Sequence, residues 1–173
     1  ANLAAALSRR GQRVLVLDAD LGLANLDVVL NLQPKLTPHD VFTGKCDLEA
    51  AILPAPGGFS VLLAGSGLVE YSRLTHDVRV HLLDIIEKMK PRFDCILLDT
   101  GAGISDVVLF AVSLAEEVLV VATPDTLHVR QMADTARLLN PRIEVVVRTH
   151  SEDESQLLRK EAVGTVFYGE EEL

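Results

Sequence analysis

Short aliphatic runs alternate with helical patterns along the whole chain, and this alternation restricts the fold more than any other feature of the sequence. The first run, residues 13–18, follows a glycine turn and ends in an aspartate. Such a run is typical of a strand that is buried on both faces, as strands of parallel sheets are. Five later segments share this strand pattern. They are 59–64, 94–99, 117–122, 143–147 and 165–168.

Helical patterns separate these strands, and several of them begin at a residue suited to cap a helix. Thr75 is the predicted cap of a helix that runs to about Lys90, and Ser105 and Ser151 are the predicted caps of two later helices. The alternation predicts an α/β fold with a doubly wound, mostly parallel sheet that carries helices on both faces. Because no repeat or linker interrupts this order, a single domain is predicted over residues 1–173.

The composition excludes several kinds of protein and partner. Hydrophobic residues make up 49% of the chain and charged residues 24%, which suits a globular core and not a disordered segment. The net charge of −9 argues against nucleic acid as a partner, because phosphate backbones are bound by basic surfaces. No apolar run approaches the ~20 residues that span a bilayer, so direct membrane insertion is not expected.

Other features of the chain concern its cellular location and its ends. Two isolated cysteines, Cys46 and Cys95, fit a reducing environment, and a cytoplasmic location is therefore predicted. The chain begins in a helical pattern without methionine and ends in acidic residues, so we expect both ends to be cut. The acidic end also lacks the basic and apolar face of a membrane-binding helix.

Small polar residues follow three of the predicted strands, at 18–20, 99–103 and 123–125. Ligands of open α/β sheets bind beyond the carboxyl ends of the strands, so these residues are the candidate site. An aspartate in this position is suited to a hydrated Mg²⁺ ion, and the Gly-Ala-Gly segment at 101–103 allows the backbone to approach a phosphate closely. The alternative, that these aspartates only cap the next turn or helix, stays open.

Two stretches, Leu17 to Asp27 and Leu98 to Ser105, resemble the MinD/ParA family of deviant-Walker ATPases. The Gly-Ala-Gly form of the second stretch is similar to the flagellar-placement branch of that family, the FlhG/YlxH type. The resemblance covers about residues 1–124. It implies a P-loop NTPase/Rossmann-like three-layer sandwich that binds ATP with Mg²⁺ and forms a homodimer.

The same resemblance implies roles for individual residues. Asp20 corresponds to the catalytic aspartate that positions the attacking water, and Asp99 to the Walker B acid that reaches the metal through water. Both are therefore expected at the metal. The remaining residues expected to contact the nucleotide are Asp18, Gly101, Ala102, Gly103, Pro124 and Asp125.

The chain departs from this family where the phosphates should be bound. The glycine-rich phosphate loop of the family is expected a few residues before Ala1, and the pattern Gly-x-x-x-x-Gly-Lys-Ser/Thr occurs nowhere in the chain. Phosphoryl transfer depends on the positioning and charge stabilisation that this loop supplies. We therefore expect this chain to bind nucleotide without hydrolysing it, or to have no cofactor.

A second departure lies in the last third of the chain. Residues from about 122 to 173 resemble the RCK (TrkA-N) domain of Kef-type potassium efflux transporters, which implies a splice near 117–124. The alternative function is then a non-catalytic regulatory nucleotide-binding module, or an engineered chimeric fold without a ligand. Neither a flagellar nor a transport partner is indicated by the residues themselves.

Two expectations concern geometry. The carboxylates of Asp20 and Asp99 are expected at one edge of the sheet, within reach of a single hydrated metal ion. Strand 96–99 is expected to pair directly with strand 117–122. The reason is that an open slot between them would leave buried backbone groups without partners, at ~1–3 kcal/mol each.

Overall fold

The computed structural model describes residues 1–20, 25–64, 75–121 and 126–169. The chain forms two compact units, Ala1–Gly103 and Ile104–Leu173. The boundary between them lies earlier in the chain than the splice expected near 117–124. That splice, and the single domain expected over residues 1–173, stay predictions.

The first unit contains a four-stranded sheet and five helices among its described residues. Its helices are α1 (Asn2–Arg9), α2 (Leu26–Leu30), α3 (Pro38–Phe42), α4 (Leu48–Ala51) and α5 (His76–Met89). Its strands are β1 (Val14–Asp18), β2 (Leu53–Pro54), β3 (Ser60–Leu62) and β4 (Cys95–Asp99).

The strands of this sheet follow the order β2-β3-β1-β4. β1 pairs in parallel with β3 on one side and with β4 on the other, and the short β2 pairs with β3 in the antiparallel direction. The register places Leu17 opposite Leu62 and Asp18 opposite Asp99. The carboxyl ends of the three parallel strands therefore meet at one edge of the sheet.

Side chains of β1 alternate between two hydrophobic clusters, one on each face of this sheet. Val14 and Val16 belong to a cluster that includes residues of α1 and α2. Leu15 and Leu17 belong to a second cluster, which includes residues of α4 and α5. Because successive side chains of a strand point to opposite faces, helices cover both faces of this sheet.

The second unit contains a three-stranded parallel sheet in the order β5-β6-β7. Its helices are α6 (Asp106–Leu114), α7 (Thr126–Leu139) and α8 (Glu152–Lys160), and its strands are β5 (Glu117–Val121), β6 (Glu144–Thr149) and β7 (Thr165–Tyr168). The described core unites residues of all three helices with the buried side chains Val145 and Val147 of β6. The predicted α/β class, with mostly parallel strands and helices packed on them, is confirmed.

The prediction that strand 96–99 pairs directly with strand 117–122 was wrong. β4 pairs with β1 and β5 pairs with β6, so the two strands lie at the ends of separate sheets. The prediction assumed a buried slot, whereas the β4 side chains are only partly buried and Leu119 of β5 is 38% exposed. The expected desolvation cost applies to fully buried strands, which these two are not.

The longest helices in the described ranges, α5 and α7, have 14 residues each. A membrane-spanning helix requires ~20 predominantly apolar residues. Among the described residues, no helix combines the length and the apolar character needed to cross a membrane.

Candidate functional site

Two aspartates end neighbouring parallel strands of the first unit. Asp18 is the last residue of β1 and Asp99 the last residue of β4, and the register places them opposite each other. The backbone N–H of Ala19 donates to the carbonyl oxygen of Asp99 at 2.8 Å, which extends the pairing by one residue. Asp18, Asp20 and Asp99 therefore share one edge of this sheet. The expectation that Asp20 and Asp99 lie at the same edge is confirmed, and their convergence on one ion stays a prediction.

The carboxyl group of Asp18 is partly buried and accepts hydrogen bonds from the backbone. Its Oδ1 accepts from the N–H of Asp20 at 3.2 Å, and the N–H of Ala64, just beyond β3, donates to the same carboxyl. Burial, with a smaller contribution from the nearby carboxylates of Asp99 and Asp20, raises the pKa of Asp18 to about 6 against the opposing effect of the backbone bonds. Asp18 thus has a different environment from Asp99, whose side chain is exposed.

The carboxyl group of Asp20 lies directly against Gly101. A methyl group on Gly101 would meet the two carboxylate oxygens and Cγ of Asp20 at 3.2–3.3 Å, which is tighter than ordinary van der Waals contact. The two stretches that resemble MinD/ParA ATPases, Leu17 to Asp27 and Leu98 to Ser105, therefore approach each other at this point. Glycine at position 101 is explained by this close approach, since any Cβ would displace the carboxyl group.

The loop after β4 also requires glycine at position 103, for a different reason. Gly103 has a φ of +90°, in the left-handed region, and nothing lies within 4 Å of the position that its Cβ would take. Ala102, between the two glycines, is exposed. Position 101 thus needs space and position 103 needs backbone freedom.

The structure brings together Asp18, Asp20, Asp99 and Gly101, with Ala102 and Gly103 in the adjoining loop. Pro124 and Asp125, the other predicted contacts, lie outside the described residues. The N–H of Ala64 is a member of this arrangement that the sequence did not indicate. No side-chain signal could have found it, because the contact is made by the backbone.

The donor set suits a hydrated magnesium ion better than an ion enclosed by protein. In the described ranges, no three histidine, cysteine, aspartate or glutamate side chains are grouped so that they could hold a metal. Mg²⁺ commonly keeps several waters and takes one or two carboxylates together with the phosphates of a substrate. The carboxylates at this edge, with the space kept open by Gly101, fit such an ion.

A separate hollow of about 340 Å³ in the second unit is lined by Glu116, Asn140 and Arg142. The Asn140 side chain supports its loop, because its Nδ2 donates to the Ala115 carbonyl at 2.8 Å and its Oδ1 accepts from the Arg142 N–H at 3.2 Å. None of the predicted site residues that the structure describes lines this hollow, and the Asn140 side chain serves loop structure.

Comparison with known proteins agrees with this arrangement. A family model described as an AAA domain, AAA_31, matches residues 1–149. This chain belongs to that family. The antiactivator FleN of Pseudomonas aeruginosa is 40% identical over 139 residues, which make up 80% of this AAA-domain chain and 50% of FleN. The chain thus spans about half the length of that relative.

Two solved structures of MinD resemble this AAA-domain chain. The cell division ATPase MinD of Pyrococcus furiosus superposes with a TM-score of 0.71 at 31% identity, over 86% of this chain and 64% of that one. The septum site-determining protein MinD of Pyrococcus horikoshii, complexed with Mg-ADP, gives a TM-score of 0.77 at 26% identity, over 97% of this chain and 71% of that one. The resemblance to MinD/ParA ATPases is confirmed.

Proposed function

We propose that this AAA-domain chain is the nucleotide-binding part of a MinD/FlhG-type ATPase, which takes ATP together with Mg²⁺. The observation that carries the proposal is the contact of Asp20 with Gly101 at the edge where Asp18 and Asp99 end their strands. The similarity to a MinD structure that is complexed with Mg-ADP supports it.

Each residue at this edge has a proposed role. Asp99, exposed at the end of β4, holds the water shell of Mg²⁺, which when bound neutralises charge on the phosphates. Asp20 orients the water that attacks the terminal phosphate. The backbone from Gly101 to Gly103 approaches the phosphates, and Pro124 and Asp125 are retained as proposed nucleotide contacts.

ATP hydrolysis is proposed for the full-length protein, and binding without turnover for residues 1–173 alone. These residues contain no Gly-x-x-x-x-Gly-Lys-Ser/Thr pattern, which is the motif expected to supply the cradle and the lysine for the phosphates. We further propose a cytoplasmic protein that forms nucleotide-dependent homodimers and does not bind nucleic acid.

The proposal is tested by titrating residues 1–173 with a fluorescent ATP analogue, with and without Mg²⁺. Asp99→Asn is expected to weaken the Mg²⁺-dependent binding roughly tenfold. Asp77→Asn, an exposed aspartate in the first turn of α5, is the matched control and is expected to bind as the parent does. Binding that is indifferent to Mg²⁺ and to Asp99→Asn would contradict the proposed site.

The role of Asp20 is tested in the full-length protein. Asp20→Asn is expected to lower ATP turnover roughly 10²–10³-fold while nucleotide affinity changes little, because the water is oriented only during the reaction. Equal losses of affinity and turnover would show instead that Asp20 binds the nucleotide or its metal.

The RCK-like character of residues 122–173 stays a prediction, although the family match extends to residue 149 and so passes the expected splice. A regulatory module of that type would bind NAD or AMP without metal. The same titration with these two nucleotides in EDTA therefore separates the two functions.

A further inference from the structure

The Asp18 carboxyl group links three segments at the edge of the first sheet. It belongs to the last residue of β1, it accepts from the N–H of Asp20 at 3.2 Å, and it accepts from the N–H of Ala64 beyond β3. Asp18 also lies opposite Asp99 in the β1–β4 register. One side chain thus connects the ends of β1 and β3 to the turn that carries Asp20.

We propose that Asp18 is a positioning residue, which holds Asp20 against Gly101 through its carboxyl oxygen and does not itself contact nucleotide or cation. This inference rests on the function proposed above, in which Asp20 orients the attacking water. It assigns to Asp18 an indirect role in place of the nucleotide contact that the sequence predicts.

The difference in exposure between Asp18 and Asp99 supports this division of roles. Asp99 is exposed and can face a ligand, whereas the partly buried Asp18 carboxyl already accepts two backbone N–H groups. A carboxylate that accepts backbone N–H groups in this way fixes the conformation of the chain that donates them. At this edge, the fixed segment is the turn from Asp18 to Asp20.

The contact of Asp20 with Gly101 explains why this turn must be fixed. The Asp20 carboxyl group lies so close to Gly101 that a single methyl group would fill the space between them. Movement of the Asp20 backbone would carry its carboxyl group away from Gly101. The N–H of Asp20 donates to the carboxyl oxygen of Asp18. Loss of that acceptor would therefore release Asp20, whose side chain lies against Gly101.

The Asp18 carboxyl group is both a hydrogen-bond acceptor and a negative charge, and two substitutions separate these two properties. Asp18→Asn keeps an oxygen at the Oδ1 position and removes the charge. Asp18→Leu keeps a similar size and removes the acceptor. Asp18→Ala, which is smaller, gives the same comparison if the leucine variant does not fold, and Asp77→Asn is the control for loss of an exposed aspartate.

The first readout uses the full-length protein without nucleotide. Amide hydrogen exchange of Asp20 and the NMR shift of the Gly101 amide report the position of the turn. We expect roughly tenfold or faster exchange at Asp20 and a displaced Gly101 signal in Asp18→Leu, with both close to the parent in Asp18→Asn. Unchanged exchange at Asp20 in Asp18→Leu would overturn the inference.

The second readout is steady-state ATP turnover with Mg²⁺. Asp18→Leu is expected to lower kcat roughly tenfold or more with KM nearly constant, and Asp18→Asn to restore most of kcat. If Asp18→Asn is as impaired as Asp18→Leu, the charge matters and Asp18 acts directly on the metal or nucleotide. If the parent protein shows no turnover, the proposed function fails, while the exchange experiment still decides whether Asp18 holds Asp20.

Discussion

At the scale of single residues, the two glycines of the loop after β4 make separate and testable demands. Gly101→Ala is expected to push the Asp20 carboxyl group out of place, because the new Cβ would lie 3.2–3.3 Å from it. ATP turnover of the full-length protein should fall roughly tenfold, with a small change in thermal stability.

Gly103→Ala tests the second demand, for backbone freedom, in the same loop. It introduces a left-handed residue at φ +90° with nothing within 4 Å, so it should cost about 1–2 kcal/mol of stability and leave the Asp20 position unchanged. Thermal unfolding and turnover, measured on both variants, check the two expectations. Unchanged turnover in Gly101→Ala would argue against the Asp20–Gly101 contact as a functional feature.

The raised pKa of Asp18 predicts a pH-dependent contribution of this residue to folding stability. Its pKa is about 6 in the folded chain against 3.8 as the ordinary value, so the folded state holds this proton more tightly. As pH rises from about 4 to about 6, ionisation of Asp18 therefore lowers the free energy of unfolding, by less than the full pKa difference would give because solvent screens the partly exposed carboxyl group.

Asp18→Asn removes that titration. The variant and the parent should have similar free energies of unfolding near pH 4, and the variant should be the more stable one above pH 6. Urea unfolding over this pH range measures the difference. Asp40 and Asp94, whose pKa values of about 2 reflect hydrogen bonds with Lys45 and Arg13, serve as internal contrast, because their stabilisation is lost only as pH falls toward 2.

Sequence reasoning placed these aspartates at the edge of the sheet but did not give their contacts. An aspartate that ends an apolar run can be placed at the carboxyl edge of a parallel sheet from the pattern alone, as for Asp18 and Asp99. The approach of Asp20 to Gly101 and the N–H of Ala64 depend on how distant segments pack. No spacing in the chain encodes those distances.

At the scale of elements, the side-chain caps predicted for three of the helices are present. Thr75, Ser105 and Ser151 each accept the backbone N–H three residues later, as predicted, at 3.3, 3.4 and 3.4 Å. The elements that sequence analysis missed are α2, α4 and β2, which have five, four and two residues. Elements so short show no periodicity, and their existence depends on packing.

The start of α8 has one contact beyond the cap that Ser151 provides. Ser151 accepts from the N–H of Glu154, but the Glu154 carboxylate accepts from the hydroxyl of Thr149 at 2.7 Å, and Thr149 Oγ1 accepts from the N–H of Ser151 at 3.2 Å. Thr149, fully buried at the end of β6, therefore links that strand to the helix.

Thr149→Val tests this link. The substitution keeps the shape and removes the hydroxyl, which leaves the Ser151 N–H and the Glu154 carboxylate without this partner. The free energy of unfolding should fall by about 1–3 kcal/mol. Thr165→Val, at an exposed position of β7, is the control and should change stability by less than about 0.5 kcal/mol in urea unfolding.

At the scale of the molecule, the described site residues all belong to the first compact unit. Binding of ATP with Mg²⁺ should therefore protect the amides around 14–20 and 95–103 from hydrogen exchange more than those of β6 and β7. Exchange followed by mass spectrometry measures this difference, and EDTA should abolish it. Stronger protection of β6 and β7 than of these two segments would place the nucleotide elsewhere.

The pairing of β1 with β4 also has a consequence for how the chain reaches its structure. Arg13 and Asp94, 81 residues apart in sequence, meet at the start of this pair and form a hydrogen-bonded ion pair at 2.6 Å. The sheet of the second unit instead joins strands that are closer in the chain. Contacts of high sequence separation require costly loop closure before they add stability, and contact order of this kind slows folding. The strands of the second unit can therefore pair soon after they are made, whereas β1 must wait for β4 to be synthesised.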